Sequence, residues 1–217
     1  MHVEVFSDAF VALSAQRAVT LTDFPLAPGL VVDLDVERFW VWGPATQFVV
    51  GTDQGDVPID APQVAFFRGT VAGVPESRVF LSASPGGLKG LIRLGEAQYA
   101  LSPMAGQAPA GESGMHTIFD VFSERAVQPP SSFECEPVTP PAADLPGAPE
   151  PPGDPEGAVT RVALVAVEAD FEFGQLFANP HDAAVYVCEL MAVSSYIYET
   201  DINMKLAVSF LRVWGTS

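Results

Sequence analysis

The sequence predicts an α+β fold in three parts: a β-rich portion built as a sandwich or barrel, a proline-rich linker, and a βαβ unit that opens an α/β domain. Three observations predict it. Short strand-like runs separated by glycine-bearing turns follow one another from Leu30 to Leu101, at the spacing of roughly 8–12 residues typical of all-β sandwiches and barrels. Ten prolines fall between Pro129 and Pro155. The stretch from Arg161 to Trp214 then reads as strand, long helix, strand. The expected parts are 1–127 (β-rich), 128–158 (linker) and 159–217 (the βαβ unit).

Residues 1–28 carry the weakest pattern. Val11 to Thr22 suits a short strand or a helix, and Pro25 and Pro28 are expected to end it. From Leu30 the period becomes two: Leu30, Val32, Leu34 and Val36 alternate with Val31, Asp33, Asp35 and Glu37. That is a strand with one buried and one wet face. Three acids on the wet face need no metal, because alternation alone explains their spacing. Further strands are expected at 47–50, 63–71, 78–84, 88–94, 98–101 and 117–122. Pro85-Gly86-Gly87 marks a hairpin, since glycine takes the positive φ of a tight turn without steric cost.

The prolines of the linker remove backbone donors and fix φ, so neither a ladder nor a helix continues through it. It reads as an extended, polyproline-like connection. After it, Val162 to Val167 is apolar without interruption, which predicts a parallel strand covered on both faces. Asn179-Pro180-His181-Asp182 then has the order of a helix start: a cap, proline at the first position and an acid at the positive dipole end. The helix is expected to reach about Tyr198. Its apolar stripe is read as Val187, Leu190, Met191, Ile197 and Tyr198, with Cys188 as a small core residue beside it. From Ile202 to Phe210 the alternation returns, and the apolar face shifts at Leu211 and Val213, which predicts a bulge or a twist there. Two strands joined by such a helix are parallel. Alone they close no core, so the unit is expected to be the opening of a larger domain, with a bare edge and an uncovered apolar face.

Composition bounds the function. Apolar residues make up 48% of the chain, enough for a real core. Formal net charge is −17, from 27 acidic and 10 basic side chains. Nucleic acid and anionic membrane surfaces repel such a chain, so neither is expected as a partner. Cys135 and Cys188 could pair, but with one in a proline-rich stretch and the other in a helical pattern no disulfide framework is indicated, and the redox compartment is left open. No apolar run reaches the roughly 18 residues of a membrane-spanning helix, and the first ten residues lack the basic start of a signal peptide. No Gly-x-Ser-x-Gly elbow is present. His181 reads as a surface residue, because no second histidine follows one turn later.

The strand Val162 to Asp170, the helix Ala183 to Glu199 and the strand Asp201 to Trp214 resemble the beginning of the catalytic domain of reprolysin/adamalysin-type zinc metallopeptidases, a branch of the metzincins, in their bacterial secreted form. The helix end Tyr198-Glu199 running through Asp201-Ile202-Asn203 into a strand that closes on Leu211-Arg212-Val213-Trp214 is the most specific part. Phe66 to Pro103 is similar to the propeptide of the same family, with its glycine, Val-x-Gly-x-x-x-Ser, Gly-Leu-x-Gly turn and Tyr-x-Leu strand.

The resemblance implies the N-terminal part of a secreted zinc metalloendopeptidase precursor. The β-rich portion would then serve folding and latency. Peptide or protein would be the substrate, and the partner would be the enzyme's own downstream catalytic domain. The family's zinc site, His-Glu-x-x-His-x-x-Gly-x-x-His, is not in this sequence. No catalytic residue is therefore assigned, zinc is expected only in the full-length enzyme, and the chain alone is expected to be inactive. Cys135 is the candidate for a thiolate that would occupy the open zinc position in the latent form. Its flanking residues differ from the expected switch pattern, and the acids beside it oppose thiolate formation. Some relatives bind calcium through a glutamate early in the first strand. That position is Ala163 here, so no such site is expected. The alternative function is a non-catalytic, acidic β-domain protein that binds or inhibits a partner.

Overall fold

The computed structural model describes residues 1–5, 9–103, 114–121 and 161–215. The expected linker, 128–158, lies outside them. In chain order the elements are β1 (His2–Val5), α1 (Ala9–Ser14), β2 (Ala18–Ala27), β3 (Leu30–Phe39), β4 (Trp42–Thr52), β5 (Gly55–Pro58), β6 (Ala65–Val71), β7 (Val74–Ser84), β8 (Gly87–Leu94), β9 (Ala97–Pro103) and β10 (Gly114–Asp120). After them come β11 (Arg161–Ala169), α2 (Phe171–Gly174), α3 (Pro180–Ile202) and β12 (Met204–Trp214). The fold is a strand-rich α+β arrangement.

Two sheets carry it. The first is antiparallel and has eight strands in the order β1-β10-β9-β8-β7-β6-β3-β2. The second has four, in the order β11-β12-β4-β5. The alternation in β3 behaves as read: Leu34 and Val36 are buried while Asp33, Asp35 and Glu37 face solvent. The three acids have ordinary partners. Asp35 accepts from the Thr20 hydroxyl at 2.6 Å, Asp33 from the Asp23 backbone N–H at 2.9 Å, and Glu37 pairs with Arg68 at 3.3 Å.

Pro25 does not end β2, contrary to the sequence reading. β2 is an edge strand, where a missing backbone donor costs no ladder bond. Its pairing with β3 slips beside Asp23, whose φ is 54°.

The middle of the eight-stranded sheet is buried on both faces. On one face Leu26, Leu34, Phe67, Leu81, Ile92 and Ile118 form a core that α1 joins through Leu13. On the other, Phe39, Phe66 and Phe80 meet Val41 and Phe48, α3, and Val208, Leu211 and Val213 of β12. The doublets Phe66-Phe67 and Phe80-Leu81 thus send neighbouring side chains into different cores.

The βαβ unit forms as expected, with β11 and β12 parallel. β4 then adds to it. Together with its antiparallel partner β5 it stands outside the eight-stranded sheet and pairs in parallel with β12, so β12 is flanked on both sides. β11 is one edge of this sheet and β5 the other. On β11 the expected double coverage is not found: Val162 is 57% exposed and Leu164 75%. The predicted bulge is present, displaced to Ser209, where the register breaks against both neighbours. Beyond it Leu211 and Val213 take over the buried face.

α3 begins as read. Asn179 accepts from the Asp182 N–H at 3.0 Å, with Pro180 in the first turn. It runs four residues beyond the expected end and closes on Asn203 in the left-handed region, φ 52°. Its buried stripe is corrected: Ala183, Ala184, Val187, Cys188, Ala192 and Ser195 face the sheets, while Leu190, Ile197 and Tyr198 are exposed. Small side chains let the helix approach both sheets closely, and that decides which face is buried when the helix is apolar all round. Among the described residues no helix is long and apolar enough to cross a membrane.

Candidate functional site

The feature with the most chemistry is the seam where α3 and β12 meet the strands that precede residue 127. Its backbone component is the β12–β4 ladder, running from Val208 opposite Trp42 to Trp214 opposite Gly51. Gly51 is required there. A Cβ in its place would lie 2.7 Å from the Trp214 ring. The apolar component is aromatic: Phe66 and Phe80 lie with ring centroids 6.3 Å apart, and Phe80 stacks at 6.2 Å on Tyr196 of α3.

The polar component is a set of ion pairs with one rule. Arg68 on β6 binds Glu199 at 2.5 Å, Arg78 on β7 binds Asp201 at 3.0 Å, and Lys89 on β8 binds Glu189. Each base comes from the eight-stranded sheet and each acid from α3. Arg212 on β12 reaches the other way, to Asp56 of β5 at 2.6 Å. In a chain with only ten bases, four are committed to this seam. Glu189 is the most enclosed acid, and it also accepts from the buried Ser82 hydroxyl at 2.8 Å. A carboxylate so placed needs both partners, because an unpaired buried charge is costly. Ser195 fastens α3 to the start of β12: its hydroxyl donates to the Leu206 carbonyl at 3.1 Å and accepts from the Leu206 N–H at 3.0 Å.

The electrostatics follow this geometry. Burial lowers the Arg68 guanidinium, but its hydrogen bonds and charge pairing with Glu199 and Glu37 outweigh that, and its pKa is raised. The Tyr196 phenol is raised by burial, partly offset by nearby Arg78. At the outer end of the seam, Glu168 is held below the usual carboxylate range by the Trp214 indole N–H at 2.6 Å and by Arg212 at 3.2 Å. A groove of 400 Å³ opens beside Glu189, lined among others by Gln63, Lys89, His181 and Tyr186.

The residues singled out from sequence are placed as follows. Cys135 lies outside the described residues. Cys188 is fully buried among alanines, and burial pushes its thiol up to about 12. That environment suits a packing residue and opposes nucleophilic use. His181 lies partly buried in the first turn of α3, on the wall of the groove beside Glu189. Ala163 pairs with Leu206 in the β11–β12 ladder. His2 is exposed, and His116 is buried with its Nε2 accepting from the Leu88 N–H at 3.0 Å. Among the described residues, no three His, Cys, Asp or Glu side chains converge as metal ligands would.

The seam itself was not read from the sequence. One signal for it exists: Arg68, Arg78 and Lys89 recur at near-regular spacing in an otherwise acidic chain, and Glu189 interrupts an apolar helical run.

Compared with models of known protein families and with curated proteins, the chain matches none.

Proposed function

We propose that this chain is the N-terminal portion of a secreted zinc metalloendopeptidase precursor, with the β-rich part acting as a folding and latency module for the unit at 161–215. The observation that carries the reading is the seam. A strand, an aromatic face and three bases of the earlier part are all directed at α3 and β12. That is how a template holds an element that cannot close its own core. The open side of β11, with Val162 and Leu164 uncovered, is what a sheet awaiting another strand presents. On this reading the zinc ligands and the general base belong to the full-length enzyme, peptide or protein is the substrate, and the chain by itself is inactive.

The same open edge favours a second reading, in which a non-catalytic acidic protein takes a strand from a partner. One experiment separates the two. Sequencing the gene beyond codon 217 is expected to reveal a His-Glu-x-x-His-x-x-Gly-x-x-His helix. An in-frame stop directly after that codon overturns the peptidase reading and leaves the binding protein.

A further inference from the structure

We propose that His116 makes the hold of the eight-stranded sheet on α3 sensitive to pH: proton uptake at its Nε2 opens the β7–β8 hairpin and draws Lys89 away from Glu189. The proposal does not depend on the peptidase reading, and its failure leaves that reading untouched.

The hairpin turns at Pro85 and Gly86, with Ser84 opposite Gly87, whose φ is 118°. The register of β8 with β9 starts only at Gly90, opposite Leu101, so the Leu88 N–H lies beyond that ladder. His116 supplies its acceptor. It stands on β10 opposite Pro103, and its Nε2 accepts from the Leu88 N–H at 3.0 Å. The ring packs against the turn: a Cβ on Gly87 would lie 2.7 Å from that nitrogen. His116 is 2% exposed. A neutral imidazole has one accepting nitrogen, so the bond assigns the proton to Nδ1. An imidazolium carries N–H on both nitrogens. Its Nε2–H would face the Leu88 N–H donor to donor, inside the protein, where an unmatched polar contact and a charge are both costly. Protonation and the closed hairpin therefore oppose one another.

The same hairpin is an arm that holds α3. Leu88 packs in the core on the α1 side. Lys89, the next residue, points to the other face of the sheet, where it pairs with Glu189 and lies 5.4 Å from the Tyr186 centroid. Ser84, Pro85, Gly86 and Lys89 form one wall of the 400 Å³ groove beside Glu189. When the hairpin opens, Glu189 is left with the Ser82 hydroxyl, and a buried carboxylate that has lost its cation is costly. The opened form binds one proton more than the closed one, so a fall in pH favours it. Histidine is the side chain that ordinarily takes up a proton between about pH 5 and 8. The other titratable groups around β10 and the hairpin are few. On β1, His2 and Glu4 lie opposite Thr117 and Met115 rather than His116. Asp120 and Tyr99 pair with each other further along β10, and Arg78 and Arg93 do so at the far end of the hairpin. Asp23 is the titratable residue of β2, and α1 has none. His181 and Asp182 line the groove on the α3 side.

The test uses the full chain, as wild type and as His116→Gln, whose amide oxygen can accept the Leu88 N–H without titrating. Amide hydrogen exchange is followed at residues 86–90 and 186–192 from about pH 8 to about pH 5.5, and expressed as protection relative to the free-chain rate at each pH. In the wild type, protection at both segments is expected to fall roughly tenfold across that range. In His116→Gln it is expected to stay constant, and His181→Gln is expected to keep the full response. Constant protection in the wild type overturns the proposal, as does a response that survives in His116→Gln or disappears in His181→Gln. A fall confined to 86–90 cuts the link to α3 and also overturns it. If His116→Gln does not fold, the wild type decides. Long-range proton–nitrogen spectra are expected to show the Nδ1–H tautomer of His116 at the upper pH, and its protonation to coincide with the loss of protection. An Nε2–H tautomer there, or protonation without that loss, overturns the proposal.

Discussion

Gly69 shows how closely a single position is specified. A Cβ there would lie 1.9 Å from the Asp35 carbonyl oxygen, so alanine can enter only by forcing β3 and β6 apart. Gly69→Ala is expected to cost about 3 kcal/mol, read from urea unfolding. Phe66 is 1% exposed and stands at the centre of the aromatic face. Phe66→Ala is expected to cost about 4 kcal/mol. Cys188 gives a test with a definite sign. Its folded thiol is raised to about 12, against an ordinary 9.0. The folded state therefore holds the proton over that interval while the unfolded state releases it. Stability from this group is intact below pH 9.0 and declines as the pH rises from there towards 12. In a Cys135→Ser variant, which leaves Cys188 as the one thiol, Ellman's reagent at pH 8 is expected to find no reactive thiol in the folded protein and about one equivalent once it is unfolded. Glu168 runs the other way. Its folded pKa is depressed, so its contribution is present above the ordinary carboxylate value and is lost as the pH falls through the depressed one. Glu168→Gln is expected to flatten the acid limb of a melting-temperature profile.

At the scale of elements, what the sequence revealed was periodicity, and what it hid was partnership. The period-two run in β3, the hairpin at Gly87 and the Asn179-Pro180 helix start are local facts and appear where the pattern put them. The buried face of α3 was misread because the helix is apolar on every side. Apolarity then carries no phase, and the small residues that permit close packing decide instead. The pairing of β4 with β12 joins residues far apart in the chain, which no window of sequence contains. The seam ion pairs were hidden for the same reason, although the enclosed Glu189 on an apolar helix was a visible anomaly. Glu189→Gln keeps the shape, weakens the tie to Lys89 and is expected to cost about 1–2 kcal/mol, since Lys89 is partly exposed. At the open edge of β11, Leu164→Lys is expected to leave the melting temperature unchanged and reduce self-association in sedimentation velocity.

For the whole molecule, the aromatic core shared by the eight-stranded sheet, α3 and β12 predicts a single unfolding transition, with tryptophan emission and far-ultraviolet circular dichroism coincident. The loan of β4 has a mechanical corollary. Hydrolysis of a peptide bond anywhere between Val121 and Arg161 would sever the covalent thread yet leave the ladder from Val208 to Trp214 in place. The two pieces would travel together through a gel-filtration column and part only in denaturant. Separation in a cell would therefore need a second event that peels one strand from its neighbour, and the speed of that peeling, more than the speed of the cut, would set the pace.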